Sequence, residues 1–202
     1  MRYLTTFVLA LLTSAGLLLV GCDSGSSGSE GGTLAVNLTD APGDITQAEV
    51  TIERVTAVPV EDTSDGDATE GGVSVLTDSS FTVDLTTLQD GVTELLGEVQ
   101  LEPGAYSQIR LKTAREATVF YEDDNGDEVE ADLTLPSAEE TGIKVNFDPV
   151  ELDSPEDRAE VTLDFSVEES FVESGQTGSY IFKPVVDAEA VVVNGDTTSS
   201  SN

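Results

Sequence analysis

Residues 117–133 read ATVFYEDDNGDEVEADL, and this stretch decides the fold class. Apolar and polar residues alternate on both sides of its acidic centre, with Val119 and Tyr121 before it and Val129 after it. A period of two places one face of a strand on a core and the other in water. Asn125-Gly126 lies between the two runs and predicts a hairpin with a type I′ turn, because that turn needs positive φ at both central residues.

The same rhythm recurs along most of the chain, and no long stretch has a helical period. Many short strands separated by Gly, Pro and Asn turns are typical of antiparallel sandwiches. We therefore expect one all-β domain, an antiparallel β-sandwich over residues 33–193. The alternating core candidates are Leu34, Val36, Leu38, Val50, Ile52, Val58, Val60, Phe81, Val83, Leu85, Ile109, Leu111, Ala117, Leu133, Leu135, Ile143, Val145, Phe147, Val161, Leu163, Phe165 and Val167, followed by residues 181–193.

Local departures from the rhythm predict irregular structure. Val55 is out of phase with its neighbours, which predicts a bulge or bend near residues 53–55. Leu88, Leu95 and Leu96 are expected to pack a less regular connection that has room for one helical turn. Pro103-Gly104 and residues 175–178 predict turns, and the acidic, glycine-rich residues 61–72 predict an exposed loop.

The first residues have the form of an export signal. Arg2 precedes a nearly continuous apolar run over residues 4–20, and Gly21 supplies a small residue before Cys22. Residues 19–22, LVGC, resemble the bacterial lipobox, which implies that a diacylglycerol is attached to Cys22 and that residues 1–21 are removed as a signal peptide. The alternative is an uncleaved membrane anchor, since the apolar run is nearly long enough to span a bilayer.

The segments at the two ends of the domain are polar. Residues 22–32 comprise the lipid-bearing cysteine and a stretch rich in Gly and Ser, which predicts a flexible tether. Residues 194–202 predict a disordered tail. Cys22 is the only cysteine, so we expect no disulfide within one molecule and a fold stabilised by its core alone.

The charge excludes one class of partner. The chain has 8 basic and 40 acidic residues, a formal net charge of −32. Nucleic acid would be repelled, so we exclude it as a partner. One interpretation of the acidity is life in concentrated salt, where self-repulsion is screened over about 3 Å at 1 M; disorder is the other interpretation of high charge, and the regular apolar alternation argues against it.

Several motifs together resemble one family. They are TDAP at residues 39–42, LTTLQDG at 85–91, ELLG at 94–97, PGAYSQIRL at 103–111, TGIK at 141–144, LDF at 163–165, Ser170, and Lys183-Pro184. In this combination the chain resembles the domain-of-unknown-function family 4382 of exported bacterial and archaeal proteins, over about residues 33–193. The resemblance implies an exported β-sandwich, often in a lipoprotein, and brings no catalytic or ligand residues.

The residue types present argue against an enzyme. The chain has no His and no Trp, and lipid takes its one Cys, which removes the commonest general base, thiolate catalysis and the usual transition-metal ligands. Paired carboxylates could hydrolyse glycosides, but a surface covered with acids makes chance pairs common. We expect no catalytic residues, no cofactor and no small-molecule substrate.

Calcium is the remaining inorganic candidate, because hard cations prefer clustered oxygen ligands. The acids around Asn125-Gly126 at residues 123–128 form the first candidate cluster, Asp40 and Asp44 the second, and Asp62, Asp65 and Asp67 the third. The competing interpretation is solvated acidic loops, with a simple hairpin tip at residues 123–127, and we favour it and assign no metal site.

Basic residues are scarce, so those inside motifs are informative. Arg110, Lys144 and Lys183 each fall in an expected strand. We expect them to pair with carboxylates such as Asp40 or Asp164, and the alternative is that they surround a site for an anionic ligand.

These features predict a lipoprotein on the periplasmic or cell-surface face of a bacterial membrane. Its acidic β-sandwich is expected to be a non-catalytic binding or structural module of the cell envelope, contacting an envelope protein or an extracellular polymer. The alternative is a calcium-dependent adhesion or carbohydrate-binding module. Sugar recognition is disfavoured because aromatic platforms are scarce: Tyr106, Tyr121 and Tyr180 are the only tyrosines after Cys22.

Overall fold

The computed structural model of the chain describes residues 30–40, 45–60, 73–123, 125–134, 142–173 and 180–199. The signal peptide, Cys22, the acidic residues 61–72 and the turn at residues 175–178 lie outside this part. No helix in the described residues is long and apolar enough to span a bilayer.

The described residues form thirteen strands and two single-turn helices, a 3₁₀ helix over Leu85–Leu88 and α1 over Val167–Ser170. The strands are β1 (Thr33–Thr39), β2 (Gln47–Pro59), β3 (Ser74–Thr77), β4 (Phe81–Asp84), β5 (Glu94–Gln100), β6 (Ala105–Glu122), β7 (Glu128–Thr134), β8 (Ile143–Glu151), β9 (Arg158–Phe165), β10 (Phe171–Glu173), β11 (Tyr180–Phe182), β12 (Val186–Val193) and β13 (Asp196–Ser199).

The strands assemble into two main sheets and one small hairpin. Sheet A has the order β13-β12-β9-β1-β5. Sheet B has the order β3-β2-β6-β7, with β4 also paired to β2 and β8 also paired to β6; β10 and β11 pair separately. The pairings are antiparallel except that of β1 with β9, which is parallel.

One apolar core lies between the sheets. Leu34, Val36 and Leu38 of β1 are fully buried, as their alternation predicts, and they pack with residues of sheet B such as Ile109 and Leu111 in a single cluster. The expectation of one all-β, sandwich-like domain is therefore confirmed.

The expected irregularity in β2 is also present. The register of β2 against β6 shifts between Ile52 and Arg54. Because one extra residue reverses the alternation, Ile52 and then Val55 and Ala57 face the core cluster. Val58 is buried outside that cluster, opposite Gln108 of β6.

Two glycines of the expected tether pack against the domain. Gly31 and Gly32, expected in the flexible tether, are buried. The N–H of Gly31 donates to the carbonyl of Leu101 at 3.0 Å, and the N–H of Gly32 donates to that of Leu152 at 3.2 Å. A Cβ atom at residue 31 would lie 2.6 Å from the Leu152 carbonyl oxygen, so this close backbone contact requires glycine.

The type I′ turn predicted at Asn125-Gly126 is found instead at the second Asn-Gly pair of the chain. The type I′ turn is at Asn194-Gly195, where both residues have positive φ (51° and 90°) and Val193 pairs directly with Asp196. Strand β13 therefore occupies part of the expected disordered tail. At Asn125-Gly126 only Gly126 has positive φ, at 81°.

The hairpin between β6 and β7 instead has a longer loop. The N–H of Gly126 donates to the carbonyl of Asp123, and the N–H of Asp123 donates to that of Asp127, both at 2.9 Å. This pattern is typical of a type I turn followed by a glycine bulge. The hairpin prediction holds, and the predicted turn type is wrong.

Candidate ligand-binding face

Four basic residues lie on the outer face of sheet B. The core residues Ile109 and Leu111 alternate along β6 with Gln108, Arg110 and Lys112, so these three side chains lie on the opposite face. We use the name basic face for the surface of four residues, Arg54, Arg110, Lys112 and Lys144.

The strand register brings these residues into opposed pairs. Arg54 of β2 is the direct partner of Lys112 of β6, and Arg110 of β6 is the direct partner of Lys144 of β8. Directly opposed residues of antiparallel strands place their side chains on the same face. Two rows of basic residues therefore cross the centre of sheet B.

A chain of side-chain amides holds Arg110. The Nε of Arg110 donates to Oε1 of Gln108 at 2.9 Å, and the Nε2 of Gln108 donates to Oδ1 of Asn146 at 2.8 Å. Arg110 is 9% exposed and Gln108 is 5% exposed, whereas Asn146 is exposed. Because the chain runs from a nearly buried guanidinium to an exposed amide, it fixes the orientation of Arg110.

Carboxylates also lie on the outer face of sheet B: Glu49 alternates with the core residues Ala48 and Val50 of β2, and Glu130 of β7 lies opposite Phe120 of β6. Lys112 forms an ion pair with Glu53 at 3.2 Å, with both side chains about half exposed. Asp148 follows Lys144 and Asn146 on the same face of β8, in the alternation that places Val145 in the core. The described part of the outer face of sheet B therefore carries both basic and acidic side chains.

Within the described residues, the expected pairing of Arg110 with a carboxylate such as Asp40 or Asp164 is not found. Its side chain hydrogen-bonds the amide of Gln108, whereas Asp40 directly follows β1 and Asp164 lies in β9 of sheet A, opposite Asp187. Lys144 lies opposite Arg110 on the basic face. Lys183 is exposed beyond β11, and its backbone N–H donates to the carbonyl of Ser170 at 2.7 Å.

A second polar cluster has a structural role. Thr39 donates from its hydroxyl to the carbonyls of Leu88 at 2.9 Å and Val92 at 3.1 Å. Asp40, only 5% exposed, accepts through Oδ1 from the N–H of Val167 at 3.0 Å. Two of the sequence motifs therefore meet at one end of the sandwich, where they connect β1 to the 3₁₀ helix and to α1.

Ser170 connects the small hairpin to the same region. Its side chain is fully buried and accepts from the N–H of Val185 at 2.9 Å. The backbone N–H of Lys183 also donates to the Ser170 carbonyl, so the side chain and the carbonyl of Ser170 both bind the segment before β12. The motif residues around Ser170 and Lys183 thus stabilise the chain path.

In the first calcium candidate, the Asp123 carboxylate is hydrogen-bonded within its own loop. Oδ1 of Asp123 accepts from the N–H groups of Asn125 at 2.8 Å and Asp127 at 3.0 Å, and Oδ2 accepts from the Asn125 amide at 3.1 Å. These donors, the Asp127 N–H first, lower the pKa of Asp123 below its usual value. Within the described residues, no three acidic side chains converge in a way that could hold a metal ion. Asp44, Asp62, Asp65 and Asp67 lie outside that part.

The tyrosines do not form an open aromatic surface. Tyr106 is 3% exposed, its hydroxyl donates to the carbonyl of Glu102 at 2.9 Å, and burial raises its pKa. The rings of Tyr121 and Tyr180 lie against each other, with centroids 4.9 Å apart and an angle of 56°. Stacking of a sugar ring on Tyr106 or Tyr121 is therefore blocked by burial.

One surface depression lies at the other end of sheet A. It has a volume of about 460 Å³ and is lined by Glu156, Asp157, Arg158, Asn194 and Gly195. The Asp157 carboxylate accepts from the Ser154 N–H and from the Asn194 amide, and these bonds, the Ser154 N–H first, lower its pKa. The hydrogen bonds connect the turn before β9 to the turn before β13, which is a structural role.

Part of the basic face has a sequence signal. Arg110 and Lys112 are two residues apart in an alternating strand, so they must share a face. Arg54 and Lys144 join them only through the pairing of distant strands, and no local pattern shows that register.

These observations define the class of protein as a sandwich-like all-β domain with four basic residues grouped on the outer face of one sheet. A family model described as "Domain of unknown function (DUF4382)" matches residues 31–184, and the chain belongs to this family. The match starts at Gly31, the first described residue with a backbone hydrogen bond to the domain core. A search of curated proteins finds no match.

Proposed function

We propose that the chain is a membrane-anchored exported lipoprotein whose domain is a non-catalytic binding module of the cell envelope. The observation that carries the binding role is the basic face. Of the seven basic residues that follow Cys22, four lie together on the outer surface of sheet B. A chain with 40 acidic residues that collects its few cations on one surface has the charge pattern of a binding site.

The anchor is supported by the sequence of the first residues. An apolar run preceded by Arg2 ends at Gly21-Cys22, which matches an export signal followed by a lipobox-like cysteine. The absence of His and of any cysteine other than Cys22 supports a non-catalytic role, because it removes the commonest catalytic groups.

The anchor is tested by expressing the full chain in a bacterial host with radiolabelled palmitate. We expect label and membrane fractionation for the parent chain and for a Ser27→Ala variant. We expect neither for Cys22→Ala, since this substitution removes the only thiol. A parent chain that stays unlabelled would refute the lipoprotein assignment.

The binding role is tested separately with the parent domain on a solid support and solubilised envelope material from the source cells. A component retained by the parent domain and lost when Arg54 and Lys144 are replaced supports the module. Retention that does not change with this replacement counts against the basic face as the binding surface.

A further inference from the structure

The strands β3 and β5 each end a sheet on the same side of the sandwich. β5 is a terminal strand of sheet A, β3 is a terminal strand of sheet B, and the two lie against each other. A Cβ atom at Gly97 of β5 would lie 3.0 Å from the Leu76 carbonyl oxygen of β3. Because Gly97 pairs with the core residue Val36, this contact is on the inner face of β5. β3 therefore packs beneath β5 at this residue, not beside it in the plane of sheet A.

We use the name open edge for the side of β5 that faces away from β1. Among the described residues β5 pairs only with β1, and no backbone hydrogen bond joins residues 94–100 to another segment. Unpaired N–H and C=O groups along a strand are a template for one more strand. β5 provides seven residues for such pairing, whereas β3 has four. The longer ladder on this side of the sandwich can therefore form on β5.

Exposed apolar side chains lie on the same side. Among the large hydrophobic residues of the described chain, Leu95 of β5 is 54% exposed, Val92 just before β5 is 52% exposed and Val75 of β3 is 42% exposed. The register of β1 against β5 shifts next to Asn37, so Leu95 lies opposite Asn37 on the outer face while Leu96 stays in the core. This bulge places an apolar side chain next to the open edge, where an added strand can cover it.

Other terminal strands in the described part of the chain lack this combination. β13 has no apolar residue. In β7 and β8 the exposed side chains are charged, amide or proline side chains. Val172 and Ile181 are also exposed, but they pair with each other in a hairpin of three-residue strands. The open edge of β5 is therefore the best candidate for strand addition.

The charges of β5 select the chemistry of an added strand. Glu94 and Glu98 are its charged residues, and both are exposed. In a second copy of this chain paired along β5, the carboxylates of both copies would meet, and like charges on an edge strand oppose such pairing. A segment that alternates basic and apolar residues instead forms ion pairs with the two carboxylates and covers Leu95. Charge therefore favours a basic partner over a second copy.

From these observations we propose that the open edge accepts an extended basic segment of a partner protein as an added strand. Backbone hydrogen bonds to β5 supply affinity, and the side chains of Glu94, Leu95 and Glu98 supply specificity. This surface belongs to sheet A and shares no residue with the basic face of sheet B. The inference therefore goes beyond the binding role proposed above and is tested separately.

The test uses a blocked peptide of alternating lysine and valine with seven residues, the length of β5. The protein is the proposed mature chain with Cys22→Ser, and binding is measured by calorimetry in about 0.1–1 M NaCl. An acidic chain attracts any cationic peptide, so the control is the same peptide N-methylated at every backbone nitrogen. This control keeps the charge and lacks the N–H donors of a ladder. We expect the unmethylated peptide to bind at least tenfold more tightly.

Hydrogen exchange measured by NMR locates the bound peptide. The N–H groups of residues 94–100 that face the open edge should exchange more slowly when the unmethylated peptide is present. Those of β13, at the other end of sheet A, should not change. A peptide that merely collects near the acidic surface would slow neither strand selectively.

The matched variants are Glu94→Lys/Glu98→Lys and Glu156→Lys/Glu189→Lys. Each replaces two exposed carboxylates and changes the net charge by the same amount, but Glu156 and Glu189 lie outside the terminal strands. We expect the first double variant to bind the peptide about tenfold more weakly than the second. Circular dichroism in the same buffers checks that both variants are folded.

Three results would overturn the proposal: equal binding of the two peptides, equal binding by the two double variants, or unchanged exchange at residues 94–100. A parent chain that sediments as a dimer without peptide, and loses protection at residues 94–100 on dilution, would assign the open edge to a second copy and exclude the basic partner. The envelope component that depends on Arg54 and Lys144 is measured with β5 intact, so its retention or loss reports on the proposed function alone.

Discussion

Oδ1 of Asp40 accepts a hydrogen bond from the backbone N–H of Val167 at 3.0 Å, across 127 residues of chain. Asp40 directly follows β1, and Val167 is the first residue of α1. A carboxylate at this position satisfies one of the unpaired N–H groups at the start of a helix. The first strand and the late helical turn are therefore joined by one buried side chain.

Replacing Asp40 with Ala should destabilise the domain by about 1–3 kcal/mol, because the buried N–H of Val167 loses its acceptor. Asp40→Asn should cost less, since the amide oxygen still accepts. Ser166→Ala is the comparison, because it removes the exposed cap bond to the Glu169 N–H at 3.3 Å. The measurement is chemical denaturation in concentrated salt, and equal midpoints for Asp40→Ala and the parent would contradict the assigned role.

Replacing Gly31 with Ala should cost about 1–3 kcal/mol of stability, since the new methyl group would meet the Leu152 carbonyl at 2.6 Å and the backbone must shift. Glu30→Ala is the control, because residue 30 is exposed. Thermal denaturation of the two variants checks this prediction. If Gly31→Ala has the same melting temperature as the parent, the flexible tether extends past residue 31.

Acid titration should find the pKa of Asp123 below its usual value of 3.8, because N–H donors of its own loop stabilise the carboxylate. The lowered pKa means that this stabilisation is present above pH 3.8 and is lost as the pH falls through the folded-state pKa. Carboxyl carbon NMR measures it directly. Asn125→Ala should raise the pKa part of the way by removing one donor, and an unchanged value would show that the side-chain amide is not a donor.

The net charge of −32 predicts that salt stabilises the fold. Repulsion among acidic groups is screened over about 10 Å at 0.1 M salt and about 3 Å at 1 M. We expect the melting temperature to rise steadily over this range with NaCl and with KCl. A melting temperature that stays constant or falls as the concentrations of NaCl and KCl rise would contradict the hypothesis that the acidity is an adaptation to a salty habitat.

The local part of the fold is readable from the sequence. Leu34, Val36 and Leu38 alternate and are all buried, and the phase change at Val55 marks the bulge. These features depend on neighbours along the chain, which the two-residue period reports. The 3₁₀ helix at Leu85–Leu88 also lies near the place where the rhythm becomes irregular.

Features that depend on distant strands are not readable in this way. Strand β13 has no apolar residue to reveal it, and it forms because the Asn194-Gly195 turn directs it back along β12. The same dipeptide at Asn125-Gly126 also predicts a type I′ turn, but there the Asp123 side chain accepts hydrogen bonds from the N–H groups of a longer loop. Only Arg110 and Lys112 of the basic face can be placed together from the sequence, because the pairing of Arg110 with Lys144 depends on the register between two distant strands.

The parallel ladder between β1 and β9 also constrains the order of events during synthesis. Thr33 pairs with Arg158, so the parallel pairing of β1 cannot form until β9, about 125 residues further along the chain, has been synthesised. Contacts of such long sequence separation slow folding. Pulse proteolysis of nascent chains that stop before residue 158 should therefore find β1 more open to cleavage than in the full chain, because only β5 can pair with it, and full protection should appear when β9 is complete.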